Sequence, residues 1–129
     1  MKIIIASHEN LAQNMLQTAE IFLGKTEDVS AVGLYEGDSP EDFEEMLLKL
    51  VGKDDEQTLF LCDIKSGTPF NSACRFSHGR KNISVLYGMN LAMVLECITS
   101  RSEMNVHSLA ERIVGMMSKT YGAFRHDTQ

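Results

Sequence analysis

Short apolar runs alternate with segments of helical periodicity along this chain, and few folds accommodate that alternation. The runs are Lys2-Ile3-Ile4-Ile5-Ala6-Ser7, Val29 to Leu34, Thr58-Leu59-Phe60-Leu61-Cys62 and Asn82 to Tyr87. Each has the length of a strand, and each is followed by apolar residues at helical spacing. Parallel strands need a crossover of a dozen or more residues, which a helix fills, so this pattern predicts an α/β fold with a mainly parallel sheet. The expected architecture is a three-layer sandwich of strand order 2-1-3-4, common in such small proteins, with helices on both faces.

Helix punctuation supports the segmentation. Leu11, Met15, Leu16, Ala19, Phe22 and Leu23 fall on one face of a first helix, which Gly24 stops. Ser39-Pro40 opens a second helix with an N-cap and a first-turn proline, Phe43, Met46, Leu47, Leu50 and Val51 form its buried stripe, and Gly52 ends it. Thr68-Pro69 repeats the start signal for a helix through about Ser77, with Thr68 as the N-cap. Gly88-Met89-Asn90 begins another, and a last helix starts near Asn105 with Val106, Leu109, Ala110, Ile113, Val114 and Met117 in register.

Composition narrows the class. The 129 residues suit one domain spanning 1–129, and no apolar run approaches the length of a membrane span. The start lacks a secretory signal pattern, so a cytoplasmic location is expected. Cys62, Cys74 and Cys97 are an odd set without Cys-x-x-Cys spacing, which argues against a disulfide framework and a zinc site. His107 and His126 have no metal-like spacing either, so no metal and no cofactor is expected. A net charge of −6 disfavours nucleic acid and favours a partner with a basic surface.

Chemistry is expected where strands end. In order 2-1-3-4 the first and third strands are neighbours, roughly 4.8 Å apart, so His8 and Asp63 at their carboxyl ends come within hydrogen-bonding range. A carboxylate that holds one ring N–H fixes the tautomer and leaves the other nitrogen as a nucleophile. The turn Ser66-Gly67-Thr68-Pro69 leads into a helix whose unpaired amides and positive dipole end suit a phosphate, with the Thr68 hydroxyl as a further donor. His8, Asp63 and Thr68 together describe a phosphohistidine site. Asp63 ends a third strand as the acceptor of a receiver domain does, but such a site needs further carboxylates for magnesium near the first strand, where Glu9 stands alone. Phe70 and Asn71 are candidates for a docking surface, with Phe70 equally suited to pack on the sheet.

These residues resemble the enzyme IIA domain of the mannose family of the bacterial sugar phosphotransferase system (PTS EIIA of mannose, fructose and sorbose type). The resemblance lies in Ser7-His8 with Leu11-Ala12, in Asp63-x-x-x-Gly67-Thr68-Pro69-Phe70-Asn71, and in Gly88-Met89-Asn90-Leu91. It implies that His8 accepts a phosphoryl group from the phosphocarrier protein HPr and passes it to a IIB component, serving membrane IIC and IID subunits indirectly. It further implies that Asp63 orients His8, that Thr68 contacts the phosphoryl group, and that Gly67, Phe70 and Asn71 meet substrate or partner. A homodimer is implied as well, with a C-terminal edge strand exchanged between subunits, for which Tyr121 to Phe124 is the candidate. Glu9 and Ser66 stand where the family usually has glycine, and Ala92 where it commonly has proline. Those departures support an alternative, a regulatory or binding module of the same fold with weak or no phosphotransfer. A phosphoryl donor subunit for dihydroxyacetone kinase is another role for this fold, which the Gly67 to Asn71 motif disfavours.

Overall fold

The computed structural model describes residues 1–51 and 56–126. In chain order it has β1 (Lys2–His8), α1 (Leu11–Leu23), β2 (Val29–Leu34), α2 (Pro40–Leu50), β3 (Thr58–Cys62), α3 (Thr68–Ser77), β4 (Ile83–Leu86), α4 (Leu91–Ser100) and α5 (Val106–Met116), followed by a 3₁₀ turn over Met117–Lys119. The four strands pair in parallel in the order β2-β1-β3-β4, as the alternation predicts.

Period-two alternation within the strands divides the core into two layers. Ile3 and Ile5 of β1, with Leu59 and Leu61 of β3, face Ala12 and Ala19 of α1, Val94 and Cys97 of α4, and Leu109 and Ile113 of α5. Ile4, Ala6, Phe60 and Cys62 point the other way, onto Phe43 and Leu47 of α2 and Ala73 of α3. Both central strands are therefore buried on both faces, and this is why their sequences read as continuous apolar runs. All eight methionines pack in or against one of these two layers.

Several local expectations need correction. Among the described residues β4 spans Ile83–Leu86, shorter than Asn82 to Tyr87. On α1 the packed face centres on Ala12, Met15, Leu16 and Ala19, whereas Leu11, Phe22 and Leu23 at the helix ends are exposed, Phe22 by 65%. Gly24 does stop α1, at φ 79°, and Ser39 caps α2 in a reciprocal capping box with Asp42. The stop expected at Gly52 lies outside the described residues. The Tyr121 to Phe124 segment is irregular in the single chain, and both aromatic rings are more than 70% exposed (74% and 72%).

The topology dictates where a site can form. From β1 the chain moves to β2 on one side and then crosses to β3 on the other, so the loops after β1 and β3 diverge and open a crevice at the carboxyl edge. His8 is the last residue of β1 and Asp63 follows the last residue of β3.

Candidate functional site

Asp63 is the hub of the crevice. Its Oδ2 accepts from the His8 backbone N–H at 2.9 Å and lies 2.7 Å from His8 Nδ1, while Oδ1 accepts from the Ile64 N–H at 2.9 Å. Burial raises the cost of its charge, yet the two hydrogen bonds from His8 and the one from Ile64 outweigh burial and hold the carboxyl below its usual range. An ionised acceptor at Nδ1 makes that nitrogen the protonated one, so the lone pair of neutral His8 resides on Nε2. The carboxylate is 9% exposed and the imidazole 42%, so the acid sits behind the ring and the ring faces outward.

Gly67 makes room for that ring. A Cβ there would lie 2.6 Å from His8 Cε1 and 3.2 Å from Nε2, so a side chain of any size would displace the imidazole. Its backbone is extended, at φ −89° and ψ 167°, so close approach requires the glycine rather than a left-handed conformation. Gly67 also corrects the expectation for Thr68, because Gly67 is the N-cap of α3 and its carbonyl accepts from the Asn71 N–H at 2.8 Å. Thr68 is the first helical residue, and no side chain caps α3. The first-turn amides of Thr68 and Phe70 thus lack intrahelical acceptors beside Nε2, an arrangement that attracts anions.

The β1–α1 turn is tied down on the opposite side. Buried Ser7 accepts the Ala12 N–H on its Oγ at 2.7 Å and fastens the start of α1 to the end of β1. Glu9 adopts φ 53°, its N–H donates to the Leu34 carbonyl at 2.8 Å, and its Oε2 accepts from the Glu36 N–H at 3.1 Å. Gly33 lets this turn lie against β2, since a Cβ there would collide with the Glu9 carbonyl. The Tyr35 hydroxyl donates to Asn10 Oδ1 at 2.7 Å. Ser66 adopts φ 71°. Glu9 and Ser66 therefore both occupy left-handed backbone, the region in which glycine is strain-free.

The remaining expected site residues divide between two surfaces. Phe70 packs against the core layer that holds Ile4, Ala6 and Phe60, and meets the Tyr87 ring edge-on at 5.4 Å between centroids. Asn71 is exposed and, with Thr68, Pro40, Glu41, Glu44 and Arg75, lines a groove of about 400 Å³ between α2 and α3. Arg75 there is paired with Glu44, its Nε donating to Oε1 at 2.6 Å. The thiols are poor nucleophiles. Burial, reinforced by a neighbouring carboxylate, pushes Cys62 and Cys97 up to about 12. Sequence reasoning missed Ser7, Gly33 and the Glu9 to Glu36 tie. The Ser7 tie carried a local signal, a serine ahead of a helix start, whereas the other two depend on contacts between distant segments.

The fold and site together are a parallel sheet covered on both faces, with a carboxylate-backed histidine at its switch point beside a helix start that no side chain caps. The family model for the PTS system fructose IIA component (EIIA-man) matches residues 2–114, and the chain belongs to that family. It is similar to the mannose-specific EIIAB component of Escherichia coli (strain K12), at 32% identity over 103 residues covering 78% of this chain and 32% of that protein, so the chain spans about a third of that relative's length. Among solved structures, the phosphotransferase system component EIIA from Streptococcus agalactiae superposes with a TM-score of 0.88 at 31% identity, covering 95% of this chain and 96% of the other. A mannose/sorbose-specific IIA subunit from Enterococcus faecalis gives a TM-score of 0.87 at 27% identity, over 96% of this chain and 94% of the other. Among the described residues no helix is long and apolar enough to cross a membrane.

Proposed function

We propose that this chain is a phosphoryl-transfer component of a sugar phosphotransferase system, with His8 as the residue that carries the phosphoryl group. The observation that carries this reading is the occupation of His8 Nδ1 by Asp63, which leaves Nε2 free beside the start of α3. In the forward step the Nε2 lone pair attacks the phosphorus of a phosphohistidine on the phosphocarrier HPr. The donor's N–P bond breaks, its electron pair returns to the donor imidazole, and a new Nε2–P bond forms. Asp63 offsets the positive charge that grows on the ring while Nδ1 keeps its proton. Thr68 and the first-turn amides of α3 stabilise the equatorial oxygens. Transfer to a IIB component reverses these events, and the sugar is phosphorylated downstream during uptake through membrane IIC and IID subunits.

In this reading the chain is one domain that works in the cytoplasm as a homodimer. Strand β4 lies at the edge of the sheet with neighbour β3 on one side, and the exposed Tyr121 to Phe124 segment of a second subunit supplies the missing strand. Asp63 is a poor candidate for the phosphoryl acceptor itself, because both of its oxygens are engaged by His8 and Ile64. Incubation with phosphoenolpyruvate, the upstream kinase and HPr tests the proposal. The label should be acid-labile and base-stable, and it should disappear in His8→Ala. A base-labile, magnesium-dependent label on Asp63 would replace this reading with the receiver mechanism.

A further inference from the structure

Charge is segregated along the outer face of α2 and α3. No Asp or Glu lies between Asp63 and Glu96, whereas residues 75–81 carry Arg75, His78, Arg80 and Lys81. Helix α2 holds Glu41, Asp42, Glu44 and Glu45 in its first two turns and one cation, Lys49, in its last. Each of these helices follows a parallel strand and runs back along it, so α2 and α3 lie side by side in the same direction over Phe60 and Cys62. The acids of α2 therefore gather toward the edge of the sheet that carries His8. Lys49, His78, Arg80 and Lys81 gather toward the opposite edge.

Between these ends the face is neutral and partly apolar. Arg75 is paired with Glu44, which cancels both charges. Leu48 is 61% exposed and shares with Phe76, Glu41 and Glu45 a shallow groove of about 300 Å³. A second groove, of about 320 Å³, continues from Glu44, Arg75 and Phe76 to His78 and Arg80. The Arg80 guanidinium lies 5.6 Å from the centroid of the Phe76 ring. Among the described residues no side chain of opposite charge pairs with Glu41, Glu45, Arg80 or Lys81. The turn that presents the cations is braced from within the molecule. The Arg80 N–H donates to the Ser77 carbonyl at 3.0 Å, His107 Nε2 donates to the Lys81 carbonyl, and His107 Nδ1 accepts from the Ser84 hydroxyl at 2.7 Å. A turn already held in place loses little freedom when its cations are engaged.

A face with acids at one end, cations at the other and an apolar seam between is complementary to itself. A two-fold axis through the seam turns one copy end over end, so Leu48 and Phe76 meet their own counterparts and each acidic end meets a cationic end. We propose that a second copy of this chain docks here, in an isologous contact in which Glu41 and Glu45 of one protomer face Arg80 and Lys81 of the partner subunit. Two chains of net charge −6 repel one another in most orientations, and this one matches opposite charges twice. The contact is separate from the β4 edge and does not depend on phosphoryl transfer. Other occupants fit less well. A nucleic acid or an anionic membrane would bring its negative charge against Glu41, Asp42 and Glu45, and a compact anion finds Arg75 already engaged by Glu44.

Sedimentation velocity of the full chain over a concentration series tests this. Glu45→Arg and Arg80→Glu each set like charges opposite one another at two symmetric places, so each should weaken association by at least about tenfold. Mixed in equal amounts, the two variants should recover it, because every reversed residue then faces its opposite; recovery also shows that neither variant is unfolded. Leu48→Glu places two like charges at the axis and should abolish the contact. Added salt should weaken it in the native chain. Native and variant masses are compared with each other, so the outcome reads the same whether the smaller species is a monomer or a dimer built through β4. A native chain with the mass of the variants at every concentration, or two variants that associate no better mixed than apart, would overturn the proposal and leave the face to a different protein.

Discussion

The two turns that build the site share a backbone conformation and differ in what holds it. In the β1–α1 turn Glu9 sits at φ 53°, and in the β3–α3 turn Ser66 sits at φ 71°. Glu9 is secured by its own N–H, by its carboxylate on Glu36, and by the Tyr35 to Asn10 bond beside it. Among the described residues nothing bonds the Ser66 hydroxyl, and its turn is anchored instead through Asp63, whose carbonyl accepts the Gly88 N–H. Each turn is thus moored to an outer strand, and the Asp63 carboxylate joins one to the other through His8. The geometry of the imidazole depends on that junction more than on either turn alone.

Cutting the junction should have the largest effect. Asp63→Asn keeps the shape but removes the charge that fixes the tautomer, and transfer is expected to fall by about 10²-fold or more. Unfolding stability should drop by about 1–3 kcal/mol in urea titrations as partly buried donors lose an ionised acceptor. Intruding on the junction comes next. Gly67→Ala places a methyl 2.6 Å from His8 Cε1, so the ring must leave Asp63 or α3 must shift. Transfer should fall by roughly tenfold or more, with about 1–3 kcal/mol of overpacking cost.

Acid sharpens the same comparison. The Asp63 carboxyl is held below its unfolded value, so the stability it contributes is present above the ordinary carboxylate range and is lost as pH falls through the lowered folded value. Urea midpoints measured from neutral to strongly acid pH should fall more steeply in the native protein than in Asp63→Asn. The smallest effects belong to the two left-handed residues. Ser66→Gly removes strain and no bond, so it should stabilise by about 1 kcal/mol, whereas Glu9→Gly also removes the Glu36 tie and should come out within about 1 kcal/mol of neutral. If Glu9→Gly speeds transfer, the negative side chain restrains the native protein and the regulatory reading gains; an unchanged rate removes the main reason for that reading.

The ends of β1 and β3 were legible in the sequence because both strands are buried on two faces and their apolar runs stop abruptly. From those ends the adjacency of His8 and Asp63 follows by topology alone. The cap of α3 was not legible. Thr68-Pro69 has every local mark of an N-cap and a first-turn proline, but the cap is Gly67 and Thr68 is already helical; the close approach of the His8 ring to Gly67, a contact across 59 residues of sequence, carries no local signal. The apolar face of α1 failed for a related reason: periodicity assigns Phe22 and Leu23 to the same stripe as Ala19, yet periodicity carries no information on where the packing partner ends.

The most direct test is the position of the phosphoryl group on the imidazole. After phosphorylation by phosphoenolpyruvate, the upstream kinase and HPr, long-range ¹H–¹⁵N NMR of the His8 side chain should show phosphorus on Nε2 and a proton on Nδ1. Phosphorus on Nδ1, or a label that persists in His8→Ala, would contradict the account, because Asp63 would then be holding the wrong nitrogen or the wrong residue.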